Sequence, residues 1–145
     1  MIRLLEARDV DAILVIQSAS PEIAQWSGQD YARVARGEMA GWIAEDAESA
    51  ITGFLIARQI AGDLEILNLA VRPDARRRGT GTELLRQSFA WGQSFGAASA
   101  LLEVRAANLV ALHFYEHHGF EVIGRRKYYY VSPVEDALVL KARLP

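Results

Sequence analysis

The sequence predicts an α/β protein with a mixed, mostly antiparallel central sheet flanked by helices, and three observations carry that expectation. Three strand-like apolar runs follow one another between positions 42 and 71 with only short polar turns between them, which reads as an antiparallel meander. The last of these leads into a helical pattern and then into another apolar run, and a strand-helix-strand passage joins parallel strands, so the sheet is mixed. The 145 residues, 51% hydrophobic and 23% charged, contain no repeat, low-complexity tract or Pro/Gly/Ser linker, so a single domain over 1–145 is expected.

Ile2 to Glu6 opens the chain as a short strand candidate. Asp9 is placed to cap a helix whose Val10, Ile13 and Leu14 share one face, and Trp26 to Arg36 reads as a second, more polar helix ended by Gly37 and Gly41. Trp42 to Glu45, Ile51 to Gln59 and Leu64 to Val71 form the meander, with Asp46 to Ser49 and Gly62-Asp63 as its turns. The run Leu64 to Val71 is apolar at nearly every position, as expected of a central strand covered on both faces. Arg72-Pro73-Asp74 then marks a turn, and Thr82 to Phe95 a helix with Leu84, Trp91 and Phe95 along its apolar face. Ala100 to Arg105 is a buried strand candidate and Leu109 to His118 a helix closed by Gly119. Phe120 to Tyr130 and Ala137 to Leu144 form a last strand pair. The expected order is β-α-α-β-β-β-α-β-α-β-β.

Composition excludes several functions. A net charge of −2 gives no basic surface for nucleic acid or anionic membranes. Without cysteine there is no disulfide, thiolate nucleophile or Cys-ligated metal. Arg3, Glu6, Arg8 and Asp9 interrupt the apolar stretch that a secretory leader needs, and no apolar run approaches about 18 residues, so a cytoplasmic protein off the membrane is expected.

The segment Arg76-Arg77-Arg78-Gly79-Thr80-Gly81-Thr82 joins the central strand to a helix. Two glycines allow a tight turn and close approach of a ligand, the first helical turn presents unpaired N–H groups, and arginines add charge-assisted bonds, so a pyrophosphate is the natural occupant. A Walker A loop is excluded because no lysine follows. The dinucleotide fingerprint fails because its third glycine would fall at Leu84. An arginine-rich surface turn also fits these residues taken alone.

The spacing Arg76-x-x-Gly79-x-Gly81 after an apolar strand resembles the acyl-CoA pyrophosphate loop of the GNAT acetyltransferase superfamily, in which Gln or Arg begins the motif. Leu102-Glu103-Val104-Arg105-Ala106-Ala107-Asn108 and Phe114-Tyr115-Glu116-His117-His118-Gly119-Phe120 resemble the second half of that superfamily's coenzyme site. Glu65 to Val71, Arg125-Arg126-Lys127-Tyr128-Tyr129 and Glu135-Asp136-Ala137 are similar to the RimI-type ribosomal-protein alanine N-acetyltransferases. The likeness is dense from about Glu65 to Ala142 and thin before Ala50. Gln25 precedes Trp26 where that family has proline, and Lys127 stands where asparagine is usual; both lie in parts that shape the acceptor side.

The resemblance implies acetyl-CoA as cosubstrate, no metal, and direct attack by an amine in a ternary complex. It assigns the coenzyme to Leu69, Ala70, Val71, Arg76, Arg77, Arg78, Gly79, Thr80, Gly81, Thr82 and Asn108, with backbone N–H groups near Leu69 to Val71 stabilising the oxyanion. It also implies that the strands carrying Val71 and Ala100 splay around the pantetheine arm. Tyr115 is cast as the general acid and Glu103 as the base. Helical spacing agrees in part: Asn108, Ala111, Leu112 and Tyr115 share a face, with the two polar groups roughly 10 Å apart along it. A tyrosine of ordinary pKa, about 10, stays protonated near neutrality and can donate. Glu103 interrupts an apolar strand, and a carboxylate buried there is a better proton acceptor. A core tyrosine and an outward-facing glutamate are the plainer alternatives.

His113 and His117 are four residues apart, but no glutamate follows the first, so they are expected on a solvated face with Glu116. The acceptor implied is a protein N-terminus, such as the N-terminal alanine of a ribosomal protein, with Trp26 and the Tyr128-Tyr129-Tyr130 run as candidate groove walls. Glu45, Asp46 and Glu48 leave a small cationic amine open as the acceptor. A non-catalytic acyl-CoA-binding module is the third reading.

Overall fold

The computed structural model describes residues 1–131 and 133–145. Seven strands form one sheet: β1 (Ile2–Leu4), β2 (Ala40–Glu45), β3 (Ile51–Ile60), β4 (Asp63–Val71), β5 (Ser99–Arg105), β6 (Glu121–Val131) and β7 (Val134–Arg143). Their spatial order is β1-β2-β3-β4-β5-β7-β6, with β4 in the middle. The helices are α1 (Val10–Ser18), α2 (Gly28–Ala35), α3 (Thr80–Ser94) and α4 (Leu109–His117), with short 3-10 turns at Ala7–Asp9 and Pro73–Ala75. The fold class and element order are those expected from the sequence. β1 pairs antiparallel with β2, β2 with β3, and β7 with both β5 and β6. β4 and β5 are parallel through Leu64–Ala100 and Glu65–Leu101.

The chain divides into two compact units, residues 1–58 with 66–91 and residues 59–65 with 92–145. In the first, Leu5, Ile13, Ile16, Tyr31, Val34, Ile43, Phe54, Ile56 and Ala70 form the core. Gly41 is required there: a Cβ would lie 2.6 Å from Val34 Cγ1, so α2 rests directly on the β2 backbone. Ser27 caps α2, accepting from Asp30 N while the Asp30 carboxylate accepts from Ser27 N, a reciprocal capping box. Asp9 precedes α1 as expected but does not cap it. Its carboxylate instead accepts from Glu6 N and receives both terminal nitrogens of Arg3 at 2.8 Å, while Arg3 Nε reaches Glu45. The ion pair wins because Asp9 is buried, and a buried carboxylate needs a full charge partner more than a helix needs one cap.

In the second unit β3 passes to β4 through Ala61-Gly62, both at positive φ (49° and 84°), the conformation a two-residue hairpin turn demands. β5 and β7 run in register from Ser99–Arg143 to Arg105–Ala137. β6 is irregular: its register against β7 slips between Arg126 and Tyr130, and Tyr128 takes φ +54°. Asp136 holds this bulge, its carboxylate accepting from Tyr128 N at 3.0 Å and from Arg125 at 2.6 Å. Among the described residues no helix is long and apolar enough to cross a membrane.

Candidate functional site

In the first unit the site residues cluster around the end of β4 and the start of α3. β4 alternates, burying Leu64, Ile66, Asn68 and Ala70, with Leu69 and Val71 on its half-buried face. Both faces are thus partly covered, as the run of apolar residues predicts. The chain then turns through Pro73–Ala75, and Arg77 and Gly79 both take left-handed φ, 64° and 81°. A Cβ on Gly79 would meet no atom within 4 Å, so the turn leaves open space beside its backbone. Glu83 N donates to Gly79 O at 3.0 Å and closes the first turn of α3, which begins at Thr80, earlier than its sequence-expected start at Thr82. The N–H groups of Thr80 and Gly81 therefore have no carbonyl four residues back within the helix, and α3 is long enough for its dipole to favour an anion there. Arg77 and Arg78 are exposed at this turn. Arg76 is exposed as well, but its guanidinium is engaged: Nε donates to Val71 O at 3.0 Å and a terminal nitrogen to Ser20 Oγ at 3.1 Å.

The segment between α1 and α2 is fixed by side chains that sequence reasoning did not single out. Gln17 donates to Trp26 O at 2.8 Å and accepts from Trp26 N at 3.0 Å, and it also accepts from the Tyr31 hydroxyl. Asn68 Nδ2 donates to Tyr31 Oη at 3.0 Å and to Ala24 O at 3.1 Å. Trp26 stacks on Tyr31 with ring centroids 5.4 Å apart. Gln17, Tyr31 and Asn68 are all buried, which strengthens each bond and pushes the Tyr31 phenol well above its ordinary pKa, chiefly by desolvation. The signal was present: Asn68 is the one polar side chain at a buried position of LEILNLAV, and such a group must find partners.

In the second unit α4 is defined at both ends by candidate residues. Asn108 is its N-cap, with Oδ1 accepting from Ala111 N at 3.1 Å. It therefore precedes the helix rather than standing on its first turn, and its carbonyl oxygen is committed while its amide N–H groups are the ones that can serve a ligand. At the other end Gly119 takes φ +90°. Gly119 N donates to Glu116 O and Phe120 N to Tyr115 O, both at 3.1 Å, a Schellman closure. The rings of Tyr115 and Phe120 meet edge to face at 5.4 Å, so the closure that ends the helix also fixes Tyr115. Burial pushes the Tyr115 phenol well above its ordinary pKa, so it is a hydroxyl throughout the neutral range. His113, Glu116 and His117 are exposed on the other face.

Glu103 is not the enclosed carboxylate that the apolar strand suggested. Alternation in β5 puts it on the half-exposed face, and Arg126 of β6 reaches its Oε1 at 2.7 Å. Arg126 also lies over the Tyr129 ring, 4.8 Å from its centroid, while Arg105 covers Tyr130 at 4.1 Å and pairs with Glu135 at 3.4 Å. Glu135 accepts in turn from Ala107 N at 2.7 Å, just before Asn108. Tyr128 and Tyr129 are exposed.

The profile of the acetyltransferase (GNAT) family matches residues 8–120. A ribosomal protein bS18-alanine N-acetyltransferase of Salmonella typhimurium is 35% identical over 96 residues, 65% of each chain, so the matched region spans under two thirds of that relative. An N-alpha-acetyltransferase of Sulfolobus acidocaldarius is 28% identical over 155 aligned positions, covering 99% of this chain and 92% of its own. The crystal structure of the ribosomal-protein-S18-alanine N-acetyltransferase from Escherichia coli superposes with a TM-score of 0.85 at 27% identity, covering 99% of this chain and 93% of that one.

Proposed function

Because the chain belongs to the acetyltransferase (GNAT) family, we propose that it transfers the acetyl group of acetyl-CoA to the α-amine of a protein N-terminus, with the N-terminal alanine of a ribosomal protein as the leading acceptor. The observation that carries the coenzyme half is the left-handed turn at Arg77 and Gly79 opening onto the N-terminus of α3. Arg77, Arg78 and the backbone of Gly79, Thr80, Gly81 and Thr82 then take the pyrophosphate, with Arg76 at the head of the same motif. Backbone groups of Leu69, Ala70 and Val71 serve the thioester end, and Asn108 donates from its amide to the pantetheine arm. The whole chain acts as one acetyltransferase domain, working in the cytoplasm.

In the reaction the amine nitrogen forms a bond to the thioester carbonyl carbon and the carbon–sulfur bond breaks. Tyr115 supplies a proton to the departing sulfur, and the proton lost by the amine passes to Glu103 through water. An α-amine, with pKa about 7.7 to 8.0, is substantially neutral near pH 7.5, so a carboxylate already engaged by Arg126 is a sufficient acceptor. A polycationic acceptor is the weaker reading because two of the three carboxylates that left it open are already engaged. Glu45 pairs with Arg3, and Asp46 accepts from the N–H groups of Glu48 and Ala50.

The test compares thiol release from acetyl-CoA with peptides beginning with Ala, Ser or a bulky residue against the same peptides blocked at the N-terminus and carrying free lysine. Activity on the free Ala and Ser peptides alone supports the reading. Equal acetylation of blocked peptides, or activity confined to polyamines and aminoglycosides, overturns the acceptor while leaving acetyl transfer standing.

A further inference from the structure

We propose that Arg76 is a positioning residue that braces the segment Ser20–Ser27 against the coenzyme loop, so that occupancy of the loop is transmitted to that segment. The inference rests on the reading of residues 76–82 as the coenzyme loop and extends it to the acceptor side.

The argument begins with what the guanidinium touches. Arg76 is exposed like Arg77 and Arg78, but its fork is engaged by the protein itself. Arg76 directs Nε to Val71 O, the last carbonyl of β4, and a terminal nitrogen to Ser20 Oγ, 56 residues away along the chain. Ser20 is 1% exposed and closes the end of α1: its N–H donates to Gln17 O, and its carbonyl accepts from Ile23 N and from the Gln25 side chain. Three side chains thus fasten the segment, each from a different element. Gln17 of α1 holds Trp26 by both backbone groups, Asn68 of β4 holds Ala24, and Arg76 holds Ser20.

Of these three only Arg76 lies in the loop assigned to the coenzyme. Arg77, its neighbour, occupies a left-handed conformation, and Gly79 follows in another, so the backbone here has few ways to shift without moving Arg76 as well. A ligand that fixes the loop therefore fixes the Arg76 fork, and through Ser20 it fixes the start of the segment that carries Trp26.

The experiment is hydrogen exchange on the full chain with and without acetyl-CoA, in the unaltered protein and in Ser20→Ala and Arg76→Ala variants, with coenzyme affinity measured by calorimetry. Acetyl-CoA should slow exchange at 76–82 and also at 20–27 in the unaltered protein. Ser20→Ala should abolish the second protection, keep the first, and leave the acetyl-CoA Kd within about threefold; combining it with Arg76→Ala should add nothing further at 20–27. Protection of 20–27 that survives Ser20→Ala, or its absence in the unaltered protein that binds acetyl-CoA, overturns the brace. A tenfold or greater loss of affinity in Arg76→Ala with Ser20→Ala silent makes Arg76 a phosphate ligand instead. Failure of the coenzyme reading itself is distinguishable, because acetyl-CoA then protects neither segment.

Discussion

Arg126 donates to Glu103 Oε1 at 2.7 Å across the intervening strand β7, and the same guanidinium lies over the Tyr129 ring. One carboxylate oxygen is therefore committed, which in the proposed mechanism leaves the other to take the proton through water. Glu103→Gln should lower kcat more with a lysine acceptor than with an α-amine, since lysine is neutral only about once in a thousand molecules near pH 7.5. Arg126→Gln should lower kcat in the unaltered protein and change it less than about twofold in the Glu103→Gln background. Steady-state kinetics on the four forms of this cycle are the check, and additive effects would separate the two residues.

Tyr115→Phe removes the proposed proton donor without disturbing the Schellman closure, which is made by backbone groups. We expect kcat to fall by roughly 100-fold with the acetyl-CoA Kd unchanged. Because burial raises the phenol, it remains protonated as pH rises through its ordinary value of about 10, so the unaltered enzyme should show no loss of kcat from this group up to that pH. A pH profile with chemistry rate-limiting decides; full kcat in Tyr115→Phe sends the search for the acid to the tyrosines of β6.

Gly79→Val places a β-branched residue at φ +81°, and Gly81→Val adds bulk in the first turn of α3. Each should weaken acetyl-CoA binding at least tenfold; Gly79→Val should also lower the melting temperature, because a side chain at φ +81° is strained even though no atom lies within 4 Å of its Cβ. Calorimetric titration returning unaltered affinity for both variants would falsify the pyrophosphate assignment.

Asp9 is expected to contribute to the acid stability of the first unit. Burial alone would raise its carboxyl, but the Arg3 fork and Glu6 N–H outweigh it and hold the folded value below the ordinary one. A lowered folded value gives stability that is present above the unfolded pKa of about 3.9 and is lost as pH falls through the folded value. Asp9→Asn should cost roughly 3 kcal/mol at neutral pH, the scale for removing one partner of a buried pair, and should flatten the loss of stability below pH 4. Urea unfolding at pH 7 and pH 3 measures both.

The sequence by itself determined the order of elements and the central place of β4, because apolar period and glycine punctuation are local properties. It also picked out the turn at 76–81 and the helix carrying Tyr115, since Gly79 and Gly119 mark backbone that other residues rarely adopt. What a side chain does with its polar atoms is not local. That Arg76 also reaches Ser20, 56 residues away, was not visible in the sequence, nor was the Arg126 partner of Glu103, which alternation in β5 places on the half-exposed face. Asp9 left its cap for Arg3, and Asn68 found Tyr31 and Ala24, for the same reason. Buried charges and amides must be paired, and their partners come from residues far apart in the chain, so only the tertiary structure decides which ones they are.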